Sequence, residues 1–397
     1  MQVRELQYKR MSVIKIKIVD TLEEFNRSYS HLMSVISSVV AEHKYSLHPD
    51  YLKERMKSAN MCVLINYSDE KPDGYMVFEI QYKKLYIMLS VVKLVSITVK
   101  QAIFQGFVYC NNMNRLNDAA YAVIVEFIRI YPSIKHLNMY ELEITSPIYS
   151  VLNSRSMDYV KVYNVSAKKE INTFLALNSS FEEYLNGFKK KSRYNLTRNI
   201  KLFNEATDGD YELKKFNSES EVTLFYEMLD RIYKKTWQSA TFGYCLRGNP
   251  IELNLAMVAA QKNWFRSYVL MLHNIPIAYV LGFQYGNSYY WDEIGFDSAY
   301  KELSPGSVLT YFSIEDIMSN KPPKYINFGY GENVYKKIYG NLTEPAVNLV
   351  LVRSYSIARL FVLIQITVNK LYILTHKVVS ALRLDGYIRK ILKHRTR

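Results

Sequence analysis

Cysteine is scarce in this chain: Cys62, Cys110 and Cys245 are the only three in 397 residues, far apart, with no CxxC pair and no histidine cluster beside them. That spacing supplies neither a disulfide framework nor a zinc site, and it fits a reducing, cytoplasmic setting. The seven histidines are scattered and none falls in an HExxH pattern, so metal catalysis has no ligand set to stand on. Neither a Gly-x-Ser-x-Gly elbow nor a Walker-type GK[ST] loop occurs, which removes the usual markers of a hydrolase or an NTPase. No Gly/Ser-rich linker marks a domain boundary, and no apolar run reaches the roughly 18 uninterrupted residues that a membrane-spanning helix needs. The first twenty residues are charged and then alternate through Val13, Ile14, Ile16 and Ile18, the pattern of a strand and not of a signal peptide. Secretion is therefore not expected.

With 49% apolar and 22% charged residues, the composition is that of a globular protein with a full core, and the length allows two domains at about 150 residues each. The net charge of +14 is unevenly spread. From Leu351 onward ten Lys or Arg face one acid, Asp385, for +9, which leaves +5 for the first 350 residues. The body is mildly basic, and the strong charge belongs to a tail.

A strand over 13–19 is followed by Asp20 or Thr21 as cap of a helix that begins Leu22-Glu23-Glu24-Phe25, with acids in its first turn. Apolar runs at 61–66, 75–81 and 85–92, the first two split by a turn at 69–74, predict antiparallel hairpins. A helix over 117–130 and a strand over 136–142 follow. The order recurs later: strands over 266–272, 277–284 and 288–296, with turns at 273–276 and 285–287, then a helix over 307–319 stopped by Pro322-Pro323, then a strand over 325–328. Two halves of similar α/β plan account for this, with the boundary near 165–175.

Residues 360–384 are apolar but interrupted by Gln365, Asn369, Lys370, His376 and Lys377. Wound as a helix, Leu360, Ile364, Thr367, Leu371, Leu374, Val378 and Leu382 share one face, with Gln365, Asn369, His376 and Arg383 on the other. A terminal helix docked on the protein's own surface is one reading. Peripheral attachment to a membrane through 360–397 is the other, kept open by Arg389-Lys390 and Lys393-His394-Arg395.

The most informative stretch runs from Tyr289 to Leu309: a strand, a Ser304-Pro305-Gly306 loop and a helix start. Gly306 lets backbone approach an anion closely, and the first N–H groups of a helix, otherwise orphaned, can bind it. On spacing alone a plain strand-to-helix turn, with Ser304 as N-cap and Pro305 in the first helical position, explains the same residues. Lys189, Lys190, Lys191, Arg193, Arg198 and Lys201 form a run without an acid, either a solvated helix face or a cradle for an anionic acceptor, a donor's phosphates or a tRNA acceptor stem. With only Phe188 and Tyr194 nearby, it is not a platform for stacking single strands.

Three stretches taken together carry a family resemblance. They are Phe181-Glu182-Glu183-Tyr184-Leu185 with the basic run through Asn199; Phe296-Asp297, Tyr300, Leu303-Ser304-Pro305-Gly306, Leu309 and Ile314-Glu315-Asp316; and Asn327-Phe328-Gly329-Tyr330-Gly331-Glu332-Asn333-Val334-Tyr335-Lys336. Over roughly residues 165–345 they resemble the GNAT-type acetyltransferase domain of CelD-like proteins, which are associated with cellulose and other exopolysaccharide synthesis. The resemblance implies a tandem GNAT architecture similar to Fem-type peptidoglycan aminoacyl transferases: α/β (α+β), mixed and largely antiparallel sheets flanked by helices, plus a C-terminal amphipathic helical tail. The expected domains are 1–165, a degenerate GNAT-like half; 166–350, the acyltransferase; and 351–397, the basic tail. The usual GNAT phosphate loop, Arg/Gln-x-x-Gly-x-Gly/Ala, is reduced here to Ser304-Pro305-Gly306-Ser307. The first half has no Gly-bearing loop before its helix, which assigns it a structural or acceptor-shaping role.

The resemblance implies an acyl-CoA, acetyl-CoA or another, as co-substrate, held by Ser304, Pro305, Gly306, Ser307 and Val308, with no metal. Direct transfer to the amine or hydroxyl of a sugar, polysaccharide or cell-envelope precursor needs a base for the acceptor and an acid for the thiolate. A regular strand places Tyr290, Asp292 and Ile294 on one face and Tyr289, Trp291 and Glu293 on the other, so one of the two acids faces the cleft. Glu293 is the first candidate base, and a bulge would transfer the role to Asp292; both also fit as edge-strand charges. Tyr335 occupies about the place where GNAT enzymes carry the tyrosine that protonates the thiolate, although with 35 tyrosines in the chain it also fits as packing. Lys190, Arg193, Arg198, Asp297 and Lys336 are the candidates for acceptor contacts. No DNA is expected as a partner, and tRNA only if an aminoacyl-tRNA is the donor. A third possibility is a non-catalytic binding protein at the membrane surface. The expected location is the cytoplasm, with peripheral contact at the inner membrane face as an option.

Overall fold

The computed structural model describes residues 3–6, 14–39, 43–68, 70–89, 92–110, 113–166 and 170–381. The basic end of the expected tail, 382–397, lies outside the described residues. The chain divides into two compact units, one of residues 1–77, 106–112 and 170–346, the other of residues 78–105, 113–169 and 347–397.

In the first unit, strands whose residues are apolar on both sides must bury both faces, and helices cover each. All six residues of the strand Ser267–Leu272 are buried. Tyr268, Leu270 and Leu272 point into a cluster with Leu196, Phe203, Val308, Leu309, Ile314 and Ile317 from the helices Lys190–Ala206 and Pro305–Ser319. Val269 and Met271 point the other way, into a cluster with Phe225, Leu229, Ala256 and Ala259 from the helices Glu219–Tyr233 and Pro250–Gln261. Tyr45 and Tyr51, from the start of the chain, pack into this second cluster. Across the sheet the strands run Tyr211–Phe216, Ser267–Leu272, Ile275–Tyr285, Ser288–Phe296, Tyr325–Tyr330, Glu170–Ala176 and the first residues of Leu342–Arg353. Neighbours are antiparallel except Ser288–Phe296 and Tyr325–Tyr330, which pair in parallel and are joined through the helix Pro305–Ser319, as a parallel crossover requires.

The turn expected at 273–276 is shorter than its sequence suggests. His273 and Asn274 both take positive φ, 48° and 63°, the two-residue turn whose twist suits a hairpin, and the strand resumes at Ile275 with Pro276 at a register shift. Nearer the start of the chain, Ile14–Val19 pairs antiparallel with Met61–Ser68, and Thr21 caps the helix Leu22–Ser38 by accepting from the Glu24 N–H. Phe25, Leu32 and Val35 of that helix pack on Val63, Ile65 and Val77.

In the second unit the strand Val92–Tyr109 pairs in parallel with His136–Glu143, and Val160–Asn164 pairs antiparallel with the later residues of Leu342–Arg353. The helices are Met113–Ile130, Pro147–Ser154 and Ile357–Ala381. The expected runs at 75–81 and 85–92 share one strand, Lys71–Leu89, as far as Leu89; residues 90 and 91 lie outside the described residues, and Val92 opens a long strand, Val92–Tyr109, that was not legible. Lys83 and Lys84 look like an interruption in sequence, but they are exposed strand residues.

Close packing around the central strands is specific. A Cβ on Gly282 would lie 1.9 Å from the Tyr289 Oη, which donates to the Arg266 carbonyl at 2.9 Å. Gly282→Ala is expected to lower stability by about 1–3 kcal/mol through overpacking, measured as a reduced midpoint in chemical denaturation. An unchanged midpoint would show that this contact is slack.

Candidate active site

The parallel ladder between Ser288–Phe296 and Tyr325–Tyr330 ends at the pair Tyr290–Asn327. Both strands continue, to Phe296 and Tyr330, without pairing to one another. At the same level the other ladder of this strand slips: Leu281 pairs with Glu293 and Gly282 with Trp291, which leaves Asp292 as the extra residue of a bulge. The bulge corrects the regular alternation expected from sequence. Trp291 and Ile294 pack on the same cluster, while Glu293 bonds Tyr279 of the opposite one. Ile294 and Phe296 are thereby turned toward a recess of about 410 Å³.

The recess collects the loop and the tyrosine that the sequence singled out. Ser304, Gly306, Ser307 and Tyr335 line it, together with Lys301. Ser304 is the N-cap of Pro305–Ser319, but it sits at φ 51°, ψ 44° in the left-handed region and makes no side-chain cap bond. Its carbonyl accepts from the N–H of Ser307 at 2.9 Å and of Val308 at 3.2 Å. Gly306 sits in the first turn of the helix Pro305–Ser319, where backbone N–H groups lie beyond the reach of the helix's own carbonyls and the helix dipole favours an anion. A Cβ on Gly306 would stand 3.3 Å from the Phe296 ring, so a larger side chain would crowd the recess. Pro305 and Val308 are buried beneath the loop and reach no surface.

Tyr335 is the second residue of the short helix Val334–Tyr339 and meets the Phe328 ring edge-on at 5.9 Å. Burial pushes its hydroxyl up to about 12, so it stays protonated at neutral pH. The preceding Gly-x-Gly turn explains its placement. Gly329 and Gly331 take φ of 73° and 88°, conformations that favour glycine, and the buried Lys336 donates to the carbonyls of Gly329 at 3.1 Å and Tyr330 at 2.5 Å. Lys336, expected as an acceptor contact, is thus spent on holding the turn that aims Tyr335.

The adjacent acids have different surroundings. Glu293 is bound by Arg247, which also holds Glu252 at 2.8 Å, and it accepts from the Tyr279 hydroxyl at 2.6 Å. Asp292 accepts from the Tyr45 hydroxyl. Its residue surface is open to solvent, while protein crowds the carboxyl group. That crowding raises its carboxyl to about 6; the Tyr45 hydrogen bond and the charge of Lys44 pull it down, and Glu293 pushes it up.

Asp297 is buried, caps the following turn by accepting from the Ala299 N–H, and is paired with Lys235 at 2.9 Å. Lys190, Arg193 and Arg198 are exposed, and none lines the recess. The side chains their helix turns to it are Ser192, Asn195, Leu196 and Asn199. Sequence reasoning missed Tyr45, Arg247, Lys301, Trp237 and Gln238. Trp237 and Gln238 line the recess from the helix Trp237–Phe242, whose Thr236 cap was the one available signal, while Gln238 Nε2 donates to the Ile294 carbonyl at 3.3 Å. Among the described residues no group of three His, Cys, Asp or Glu is placed to hold a metal.

Residues 190–337 match the acetyltransferase (GNAT) domain family Acetyltransf_6. No curated protein sequence matches the chain. Among solved structures the chain is similar to FemX, with a TM-score of 0.57 at 10% identity over 88% of this chain and 100% of that one. It is also similar to a conserved protein of unknown function from Bacteroides thetaiotaomicron VPI-5482, with a TM-score of 0.52 at 11% identity over 85% and 100%. The chain shares the fold of these structures, and its residues 190–337 carry the match to the acetyltransferase (GNAT) domain.

Two outcomes test this geometry. Lys336→Met leaves two carbonyls without their charged donor and is expected to cost about 2–4 kcal/mol, read from denaturant unfolding; a loss under about 0.5 kcal/mol would mean that the turn holds without it. Tyr45→Phe removes a hydrogen bond that favours the carboxylate, so the Asp292 titration should move above its present value of about 6, as followed by the carboxyl infrared band. A downward move would contradict the assigned contact.

Proposed function

From the GNAT domain in residues 190–337, we propose that the protein transfers an acyl group from acyl-CoA to an amine or hydroxyl acceptor. The observation that carries this is the recess beyond the Tyr290–Asn327 pair, where Gly306 at a helix start and Tyr335, whose hydroxyl is held protonated, line one cavity. The fit to CoA rests on this chain's own groups: Gly306 is without a Cβ that would press on Phe296, Ser304 and Ser307 add hydroxyls, and Lys301 adds a cation for a pyrophosphate. The thioester supplies an activated carbonyl and a thiolate leaving group.

Neither acid lines the recess, and Asp292, whose partner Tyr45 belongs to the cluster on the other face of the sheet, is the better suited of the two as base. Glu293 is tied up by Arg247 and Tyr279, whereas Asp292 has one neutral donor, open surface and a raised proton affinity. In the proposed reaction Asp292 takes the acceptor's proton as the acceptor's lone pair forms the new bond to the acyl carbon. The carbon–sulfur bond breaks, and Tyr335 gives its proton to the departing sulfur. The resemblance to CelD-like proteins suggests a sugar, polysaccharide or cell-envelope precursor as acceptor, and residues 166–350 as the acyltransferase domain.

A second reading, transfer from aminoacyl-tRNA, draws on the likeness to FemX and on the exposed Lys190, Arg193 and Arg198. Thermal unfolding with each donor separates the two. Acetyl-CoA at a hundred times its dissociation constant should stabilise by about 2.7 kcal/mol, and Gly306→Glu should abolish that shift without unfolding the protein. A shift with charged tRNA and none with any acyl-CoA would replace the first reading with the second. In turnover, Asp292→Asn is expected to lose about 10²–10⁴-fold. The wild-type kcat/KM should fall below pH about 6, because the base must be deprotonated, and that limb should vanish in the variant.

A further inference from the structure

The helix Ile357–Ala381 has two apolar faces, of which the protein covers one. Ala358, Phe361 and Val362 are buried, Val362 against Val350 and Val352, with Ile366 partly buried beside them. Gln365 and Asn369 lie on this inner side and bond each other at 2.7 Å. At about 100° per residue, Ile357, Leu360, Leu363, Leu371 and Leu374 fall within an outer arc of about 120°. All five are exposed, Leu360 to 55% and Leu374 to 58%. A surface helix ordinarily has one apolar stripe and turns polar residues outward.

Two further features fit one kind of partner. Tyr355 is 96% exposed and Tyr159 is 72% exposed, and the Ser354 N–H donates to the Tyr159 carbonyl at 2.9 Å, so two open tyrosines flank the start of the apolar arc. Side chains with an apolar body and a polar tip suit the boundary of a bilayer. The helix contains no acid; of its cations Arg359 bonds the Tyr163 hydroxyl and the Ser354 carbonyl, Lys370 is exposed, and Lys377 follows in sequence, while residues 382–397 add six Lys or Arg against Asp385. No helix among the described residues is long and apolar enough to cross a membrane.

We propose that the outer face of Ile357–Ala381 lies in the interfacial layer of an anionic phospholipid bilayer, with its leucines in the acyl boundary and its cations at the headgroups. A second copy of this chain is the poorer occupant, since pairing the same face would bring two acid-free, basic segments together. The inference is independent of the acyl recess.

Sedimentation of the full chain with vesicles tests it. Phosphatidylglycerol–phosphatidylcholine vesicles should bind the protein, pure phosphatidylcholine should bind it at least tenfold more weakly, and 0.5 M salt should weaken the anionic binding. Leu360→Glu combined with Leu371→Glu should reduce partitioning at least tenfold while leaving the thermal midpoint in place, and Leu374→Trp should show blue-shifted emission on anionic vesicles. Absence of wild-type binding at low salt would overturn the proposal, as would equal binding by the double variant. So would a dimer that the double variant dissociates with no change in vesicle binding.

Discussion

Two parallel strands that pair through Tyr290 and Asn327 and then part leave a wedge whose backbone groups have no partner across the gap, and Gly306, Ser307 and Tyr335 line the recess with Ile294 and Phe296 of the first strand. A sheet tolerates such a gap only where something else fills it. Here the strand Ser288–Phe296 compensates on its other side with a bulge at Asp292, and the extra residue reverses which side chains face the wedge. Ile294 and Phe296 turn to the recess, and Gly306 can approach Phe296 because it has no side chain. A regular strand would turn Glu293, in place of Ile294, to the side of Trp291 and the recess.

The electrostatics follow from that local geometry. Two carboxylates adjacent in sequence are made unequal by their partners. Glu293 shares Arg247 with Glu252 and accepts from Tyr279, so its charge is matched. Asp292 has a neutral phenol and crowding protein, so its proton is held more tightly. Unequal partners are how one stretch of strand comes to hold both an ion-paired carboxylate and one with raised proton affinity. The same economy applies at Lys336, whose charge is used on carbonyls so that the neighbouring Tyr335 faces the recess.

Much of this was legible where the determinant is local. The Ser304-Pro305-Gly306 loop, the helix after it and Tyr335 could be placed from spacing and family resemblance, because caps, glycine turns and helix starts leave marks within a few residues. What was illegible is long-range or register-dependent. Nothing around Tyr45 signals that it meets a carboxylate 247 residues later. The bulge depends on how Ile275–Tyr285 pairs with its neighbour, so alternation within the single strand misassigned Glu293 and Ile294. Lys83 and Lys84 concealed a strand because charge on an exposed strand face looks like a loop in sequence. The basic run near Lys190 was visible, but helical phase turns Asn195 and Asn199, and none of the three expected cations, to the recess.

The contact between Tyr45 and Asp292 also bears on the order of assembly. The unit that contains both is composed of three separated stretches of chain, so a ribosome releases Tyr45 long before the strand that bears Asp292 has been made. Pairings between distant stretches pay their loop-closure entropy before any contact rewards it, which makes them slow to form. The loop, its helix and Tyr335 lie within some forty residues of one another and can organise early. The carboxylate acquires its phenol partner only when the first residues of the unit return to the sheet, so the recess around Gly306 and the surroundings of Asp292 mature at different stages of biogenesis.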